Sequence, residues 1–194
     1  MDIKKTIVWD VDDVLNNLME EWLNFYNSRN HTNFCYKQLT ENPPHKILGI
    51  TKEKYLNSLD TFRNLSYQFL SPNAMLLKWF KNQGYKFYNI ALTSTPLYSA
   101  ELSAYWVMKY FGEYIREFVF IPSKRNNKKH TVYYETKADW IYRRGGIDFF
   151  IDDNENNINQ VVRMCNNVSC DILQQPWNNG NRIEKILNNL IRSI

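Results

Sequence analysis

Three carboxylates fall within four positions, at Asp10, Asp12 and Asp13, directly after the apolar stretch TIVW. Like charges this close repel, and each is costly to strip of water. Either a cation sits among them or they cap a turn in open solvent. A second acidic pair, Asp152-Asp153, closes the apolar stretch DFFI. Thr93-Ser94 closes another, and Lys137 opens the helical pattern that leads into the second acidic pair. Carboxylates, a hydroxyl and an ammonium are the groups that hold a hard cation and a phosphate. Mg²⁺, bound by one or two carboxylates with room left for a phosphate, would remove the repulsion.

Taken alone, each group has an ordinary structural explanation. Asp12-Asp13 suits a turn or a helix N-cap. Thr93-Ser94 suits the cap of a helix beginning at Pro96, Lys137 a solvated first turn, and Asp152-Asp153-Asn154 a helix start. The order of the four is harder to explain, because each stands at a strand end or a helix start. Apolar runs at 6–11, 87–93, 118–122, 148–152 and 168–173 lack alternation, as strands buried on both faces do. Helical patterns occupy 95–111, 136–144, 154–166 and 181–192, with Thr136 and Asn154 as caps. Alternating strands and helices predict a parallel α/β sheet with right-handed crossovers. Ligands gather outside the carboxyl ends of such strands. Asp10 and Asp12, two apart in extended chain, lean to the same side.

Between 16 and 82 the pattern changes. Helical segments lie around 16–27, 52–58 and 73–82, Pro43-Pro44 interrupts them, and no strand pattern occurs. The last segment leads into the second strand. The expected division is therefore a core of residues 1–16 and 72–194 with a helical insertion over 17–71.

Composition bounds the rest. A chain of 194 residues, 44% apolar and 15% aromatic, suits one domain with a modest insertion and a real core, and argues against disorder. The net charge of +4 is mild. Lys124, Arg125, Lys128 and Lys129 form too short a basic cluster to argue for nucleic acid, and read as a solvated loop. Cys35, Cys165 and Cys170 form no CxxC pair and have no histidine at zinc spacing, which fits a reducing compartment. No apolar run reaches the roughly 18–20 residues that span a membrane. Residues 1–5 lead straight toward a strand without a signal-peptide pattern. The expectation is a cytoplasmic protein, with oligomerisation left open.

Asp10-x-Asp12-x-Val14-Leu15, Leu92-Thr93-Ser94, Lys137 and Asp152-Asp153 resemble, in order, the four motifs of the haloacid dehalogenase-like (HAD) superfamily. The resemblance implies a HAD-like Rossmannoid sheet of strand order 5-4-1-2-3 with a small helical cap after strand 1. It implies a Mg²⁺-dependent phosphomonoesterase working through an aspartyl phosphate on a small-molecule substrate. Asp10 would be the nucleophile and Asp12 the general acid and base. Asp10, the backbone carbonyl of Asp12, Asp152 and Asp153 would hold Mg²⁺. Thr93 and Ser94 would bind phosphate, with Lys137 balancing its charge.

A narrower likeness is to the 5′(3′)-deoxyribonucleotidases. It rests on Trp106–Gly112, on Leu92–Pro96, on Gln175-Pro176-Trp177-Asn178 and on the size of the insertion. It implies deoxynucleoside monophosphates as substrates. Two departures stand out: Asp13 occupies a position where that family usually has glycine, and Lys137 lies farther ahead of Asp152 than usual, which leaves Lys124 a rival. The insertion's aromatics, among them Trp22, Phe25, Tyr26, Tyr36, Tyr55 and Tyr67, read first as its core and second as base-stacking groups. Sugar phosphates, the 3′-phosphate ends of nucleic acid, and a non-catalytic role in binding phospho-ligands are the competing readings.

Overall fold

The structure is a computed structural model that describes residues 4–125 and 131–194. Lys128 and Lys129 of the basic cluster lie outside the described residues. Strands β1 (Thr6–Trp9), β2 (Tyr88–Thr95), β3 (Ile115–Pro122), β4 (Phe149–Asp152) and β5 (Ser169–Ile172) form one all-parallel sheet in the order β3-β2-β1-β4-β5. This is the expected order, with the first strand between the second and the fourth.

Side-chain alternation divides the sheet's two faces. Ile7 and Trp9 join one core with α3 (Ala74–Gln83), α4 (Ala100–Phe111) and α7 (Ile183–Arg192), through Leu76, Phe80, Trp106, Phe111, Ile186 and Leu190. Val8 joins the other, with Ile90, Leu92 and Phe150, under α5 (Lys137–Arg144) and α6 (Glu155–Met164). Both of these helices start where a side chain caps them, as expected. Thr136 Oγ1 accepts from the Asp139 N–H at 3.1 Å, and Asn154 Oδ1 from the Asn156 N–H at 2.9 Å.

Some boundaries differ from expectation, each for a local reason. β3 begins at Ile115, and its early residues Arg116 and Glu117 are charged. It is an edge strand, and water on one side tolerates charges there. β2 runs on to Thr95 because Thr93, Ser94 and Thr95 remain paired with Phe120, Ile121 and Pro122. The helix after it starts at Ala100, beyond an extended Pro96, and not at 95.

Residues 17–71 carry two α-helices, α1 (Leu18–Asn30) and α2 (Lys52–Ser66), and no strand of the sheet. α2 is longer than expected because its apolar stripe of Tyr55, Leu59 and Phe62 continues past residue 58. Asn16 and Pro72 form an isolated antiparallel bridge, and the Asn73 N–H donates to the Leu15 carbonyl at 2.8 Å. The chain thus leaves the sheet layer and returns to it at one point. Trp22 packs edge-on to Tyr55 at 5.1 Å, and Phe25 against Phe62 at 5.3 Å. These aromatics form the core between the two helices.

Candidate active site

Register brings the acidic strand ends together. Trp9 of β1 is level with Ile151 of β4, and the Asp10 N–H continues that ladder, donating to the Ile151 carbonyl at 2.9 Å. Asp10 therefore emerges beside Asp152. Carboxylate oxygens of Asp10, Asp152 and Asp153 lie within 4.8 Å of one another, all three residues buried.

Lys137, the first residue of α5, reaches into this cluster. Its Nζ is 2.6 Å from Asp10 Oδ1 and 2.7 Å from Asp152 Oδ2, and only 2% of the residue is exposed. Lys124, the rival, has an exposed side chain whose nearest carboxylate is Glu135 at 4.0 Å. Burial alone would lower the Lys137 pKa, but Asp10 and Asp152 outweigh it and hold the ammonium above its ordinary value. Burial pushes Asp10 well above the usual carboxylate range. Lys137 opposes that shift, while Asp152 and Asp153 add to it. Asp153 is likewise raised, first by burial and then by Asp152 and Asp13. One ammonium does not balance three carboxylates, so the cluster is short of positive charge. Its donors are hard oxygens, the ligands that Mg²⁺ takes.

Each carboxylate is aimed by its neighbours. Asp10 Oδ1 accepts from the Val11 N–H at 2.7 Å as well as from Lys137, which leaves Oδ2 without a hydrogen-bond donor among the described residues. Asp152 accepts from the Asn154 N–H at 2.8 Å and from Asn157 Nδ2 at 3.0 Å. Trp177 Nε1 donates to Asp153 Oδ2 at 3.0 Å, and Asn178 Nδ2 to the Asp153 carbonyl at 2.7 Å. The Gln175–Asn178 loop thus braces the acidic end of β4. Gln175 Nε2 also donates to the Asp13 carbonyl at 2.6 Å, tying the same loop to the first acidic cluster.

Thr93 and Ser94, at the end of β2, line the same cavity of about 150 Å³ as Asp10, Asp12, Asp13, Lys137 and Asp153. Thr93 is 1% exposed, and its hydroxyl is buried with no hydrogen-bond partner. A buried hydroxyl without a partner costs free energy, and a ligand oxygen in the cavity would satisfy it.

Asp13 has a conformational explanation. Its φ is +61°, the left-handed region, where glycine costs nothing and aspartate is among the better-tolerated alternatives. Its carboxylate accepts from the Met19 N–H at 2.8 Å, one of the unpaired donors at the start of α1. Burial nonetheless raises its pKa well above the ordinary carboxylate value.

Two further residues reach Asp12: Arg63, which the sequence reading passed over, and Tyr67, which it read only as one of the insertion's aromatics. Arg63 Nη2 donates to Asp12 Oδ2 at 2.7 Å, and the Tyr67 hydroxyl to Asp12 Oδ1 at 2.6 Å. Arg63 was detectable as a cation beside Phe62 on the apolar stripe of α2, since a buried charge is rare without a partner. Asp12 itself stands outside the Asp10–Asp152–Asp153 carboxylate cluster. Arg125, read as part of a solvated loop, is mostly buried. It spends its guanidinium on Asp60, at 2.8 Å from Nε and 2.9 Å from Nη2.

No family model and no curated protein matches the sequence. Solved structures do. Protein Tyrosine Kinase A of Mycobacterium tuberculosis superposes with a TM-score of 0.63 at 8% identity, covering 98% of this chain and 99% of that one. A haloacid dehalogenase-like family hydrolase from Streptococcus pneumoniae gives 0.57 at 9% identity, covering 96% and 90%. The HAD-hydrolase YfnB from Bacillus subtilis, solved bound to magnesium, gives 0.54 at 10% identity, covering 89% and 87%. At such identities the likeness is one of architecture. Sheet order and near-complete coverage agree, and the chain has the haloacid dehalogenase-like fold.

Proposed function

We propose that this protein is a Mg²⁺-dependent phosphomonoesterase that works through an aspartyl phosphate on Asp10. The observation that carries the reading is the unpartnered Thr93 hydroxyl, buried in one cavity with Asp10, Asp153 and Lys137. That cavity offers a phosphoryl group a nucleophile, a charge partner and a donor at once.

Asp10, Asp152 and Asp153 would hold Mg²⁺, together with the backbone carbonyl of Asp12. The ion, when bound, supplies charge neutralisation for the nucleophile and the phosphoryl oxygens. The chain's own residues do the rest. Asp10 is held at Oδ1 by Val11 and Lys137, which leaves Oδ2 to attack phosphorus in line. The bond to the leaving oxygen breaks as the bond to Asp10 forms, and Asp12 supplies that oxygen with a proton. Water then attacks the aspartyl phosphate and gives its proton to Asp12, which releases inorganic phosphate and restores Asp10. Thr93, Ser94 and Lys137 hold phosphoryl oxygens throughout, which is most of what phosphoryl transfer asks of a protein.

The insertion over 17–71 acts in this reading as a small cap above the strand ends. Cavity size bears on the substrate. About 150 Å³ accommodates a phosphoryl group with a small organic group, whereas drug-sized ligands occupy roughly 300–1,000 Å³. Small phosphorylated metabolites such as sugar phosphates fit within this space, whereas a deoxynucleoside monophosphate would extend past it through the cavity's open side.

The test is phosphate release from sugar phosphates and from nucleoside 5′- and 3′-monophosphates, with Mg²⁺, with EDTA, and with Asp10→Asn. Turnover that vanishes in both controls supports the mechanism, and the substrate panel separates the two classes. Release that survives Asp10→Asn defeats it. A protein that turns over nothing yet takes up Mg²⁺ and beryllofluoride together is a binder instead of an enzyme.

A further inference from the structure

The carboxylate of Asp12 is held chiefly by the insertion. Arg63 Nη2 donates to Oδ2 at 2.7 Å and the Tyr67 hydroxyl to Oδ1 at 2.6 Å, with Asn16 Nδ2 adding a longer bond to Oδ1 at 3.2 Å. Arg63 and Tyr67 stand four residues apart at the end of α2, so they share a face. Both are buried, with 6% and 2% exposed. The Tyr67 hydroxyl has a second partner in Ser103 Oγ at 3.1 Å, so it keeps a hydrogen bond whichever way its proton points. One turn earlier, Asp60 fixes α2 to the sheet layer through Nε and Nη2 of Arg125 and through Tyr98. Position and rotation of α2 are thereby set, and with them the two groups that grip Asp12.

Proton transfer to a leaving oxygen requires hydrogen-bond reach and a fixed direction. Nothing in β1 supplies that direction, because Asp12 lies beyond the strand's end in an irregular turn. We propose that Tyr67 and Arg63 are positioning residues for Asp12, holding its carboxyl where it meets the leaving oxygen of the ester. The inference rests on the phosphatase reading and extends it: the insertion completes the acid–base group in addition to covering the cavity.

The test compares two small phosphoryl donors in the presence of Mg²⁺, the mixed anhydride acetyl phosphate and the ester glycerol 3-phosphate. Acetate departs without a proton, whereas the glycerol alkoxide needs one. The ratio of their kcat/KM values reports the steps through phosphoryl transfer to Asp10, since hydrolysis of the aspartyl phosphate is common to both. Asp12→Asn is expected to lower kcat/KM for glycerol 3-phosphate by roughly 10²–10⁴-fold, with a much smaller loss for acetyl phosphate. Tyr67→Phe and Arg63→Gln should move the ratio in the same direction, by about 10-fold or more.

Equal losses on both compounds, or none, from Tyr67→Phe while Asp12→Asn still discriminates would overturn the inference and leave the phosphatase reading standing. Asp12→Asn without discrimination, or a wild-type protein that hydrolyses neither compound nor any member of the sugar phosphate and nucleotide panel, defeats the phosphatase reading itself. Tyr67→Phe removes a single oxygen and decides the matter should Arg63→Gln, which strips a buried carboxylate of its cation, fail to fold.

Discussion

Lys137 Nζ lies 2.6 Å from Asp10 Oδ1, so the first residue of α5 makes an ion pair with the residue that follows β1. The same ammonium is 2.7 Å from Asp152, and these contacts bind the two acidic strand ends into one unit. Removing one partner of a buried pair typically costs 3–5 kcal/mol because the other charge is left uncompensated. Lys137→Met should therefore lower the unfolding free energy by about 3–5 kcal/mol in EDTA. Mg²⁺ should recover part of that loss. Denaturant melts of both proteins, with and without Mg²⁺, check this; a variant as stable as wild type in EDTA contradicts the pairing.

The carboxylate cluster predicts a thermal response to metal. An ion that binds only the folded state stabilises it by RT ln(1 + [L]/Kd), about 2.7 kcal/mol at a hundredfold excess over Kd. Mg²⁺ should raise the melting temperature of the wild-type protein, and Asp153→Asn should abolish most of the rise. Among the described residues the Asp153 carboxylate has no cationic partner of its own, only Trp177 Nε1 and, more distantly, Lys137, so its loss should cost little stability by itself. A Mg²⁺ response unchanged in Asp153→Asn would place the ion elsewhere.

Asp13 yields a ranked series. At φ +61°, a residue with a Cβ pays a conformational cost that glycine avoids, and a β-branched one pays most. Asp13→Gly gives up the bond from the Met19 N–H but relieves the backbone, so its stability should stay within about 1 kcal/mol of wild type. Asp13→Ala should be less stable than Asp13→Gly, and Asp13→Val less stable again. Urea midpoints rank the three; valine equal to glycine would mean that the turn is not held in this conformation.

The Asp60–Arg125 pair has a pH signature. Burial pushes Asp60 up, but the hydrogen bonds from Arg125 and Tyr98 and the Arg125 charge overcome it and hold the carboxyl below its ordinary value. A depressed folded-state pKa contributes stability that is fully present above the unfolded value, about 3.9, and is lost as pH falls through the folded one. Wild type should therefore exceed Asp60→Asn in melting temperature at neutral pH. The gap should close as the pH drops below about 4. A gap independent of pH would assign it to packing and not to charge.

The residues readable in sequence are those fixed by strand ends. Asp10, Thr93 and Asp152 follow from apolar runs in a parallel sheet, because such strands end on one side and their neighbours are set by topology. Lys137 was readable as a helix start, although its contact with Asp10 needed the sheet order as well. Arg63 was not recovered, and Tyr67 was read only as an insertion aromatic, because both reach Asp12 from an insertion whose docking is a matter of tertiary packing. Arg125 was misread for a related reason, since its partner Asp60 lies on α2, far away in sequence. Edge strand β3 was read too short because Arg116 and Glu117 break the apolar run that marks a buried strand.

The placement of β1 at the centre of the sheet also orders events during synthesis. Thr6–Trp9 leaves the ribosome before the other strands of the sheet, yet its two neighbours begin at Tyr88 and Phe149. At 5–20 residues per second, roughly 7–28 seconds separate the strand from its second partner. Throughout that interval Trp9 has an open hydrogen-bonding edge, and Asp10 waits in water for its lysine. A chain halted before β4 carries a central strand exposed as an edge, the arrangement that recruits other chains. The strand that carries Asp10 is thus the first made and among the last to be enclosed, and the burden of shielding it falls on the nascent chain's surroundings.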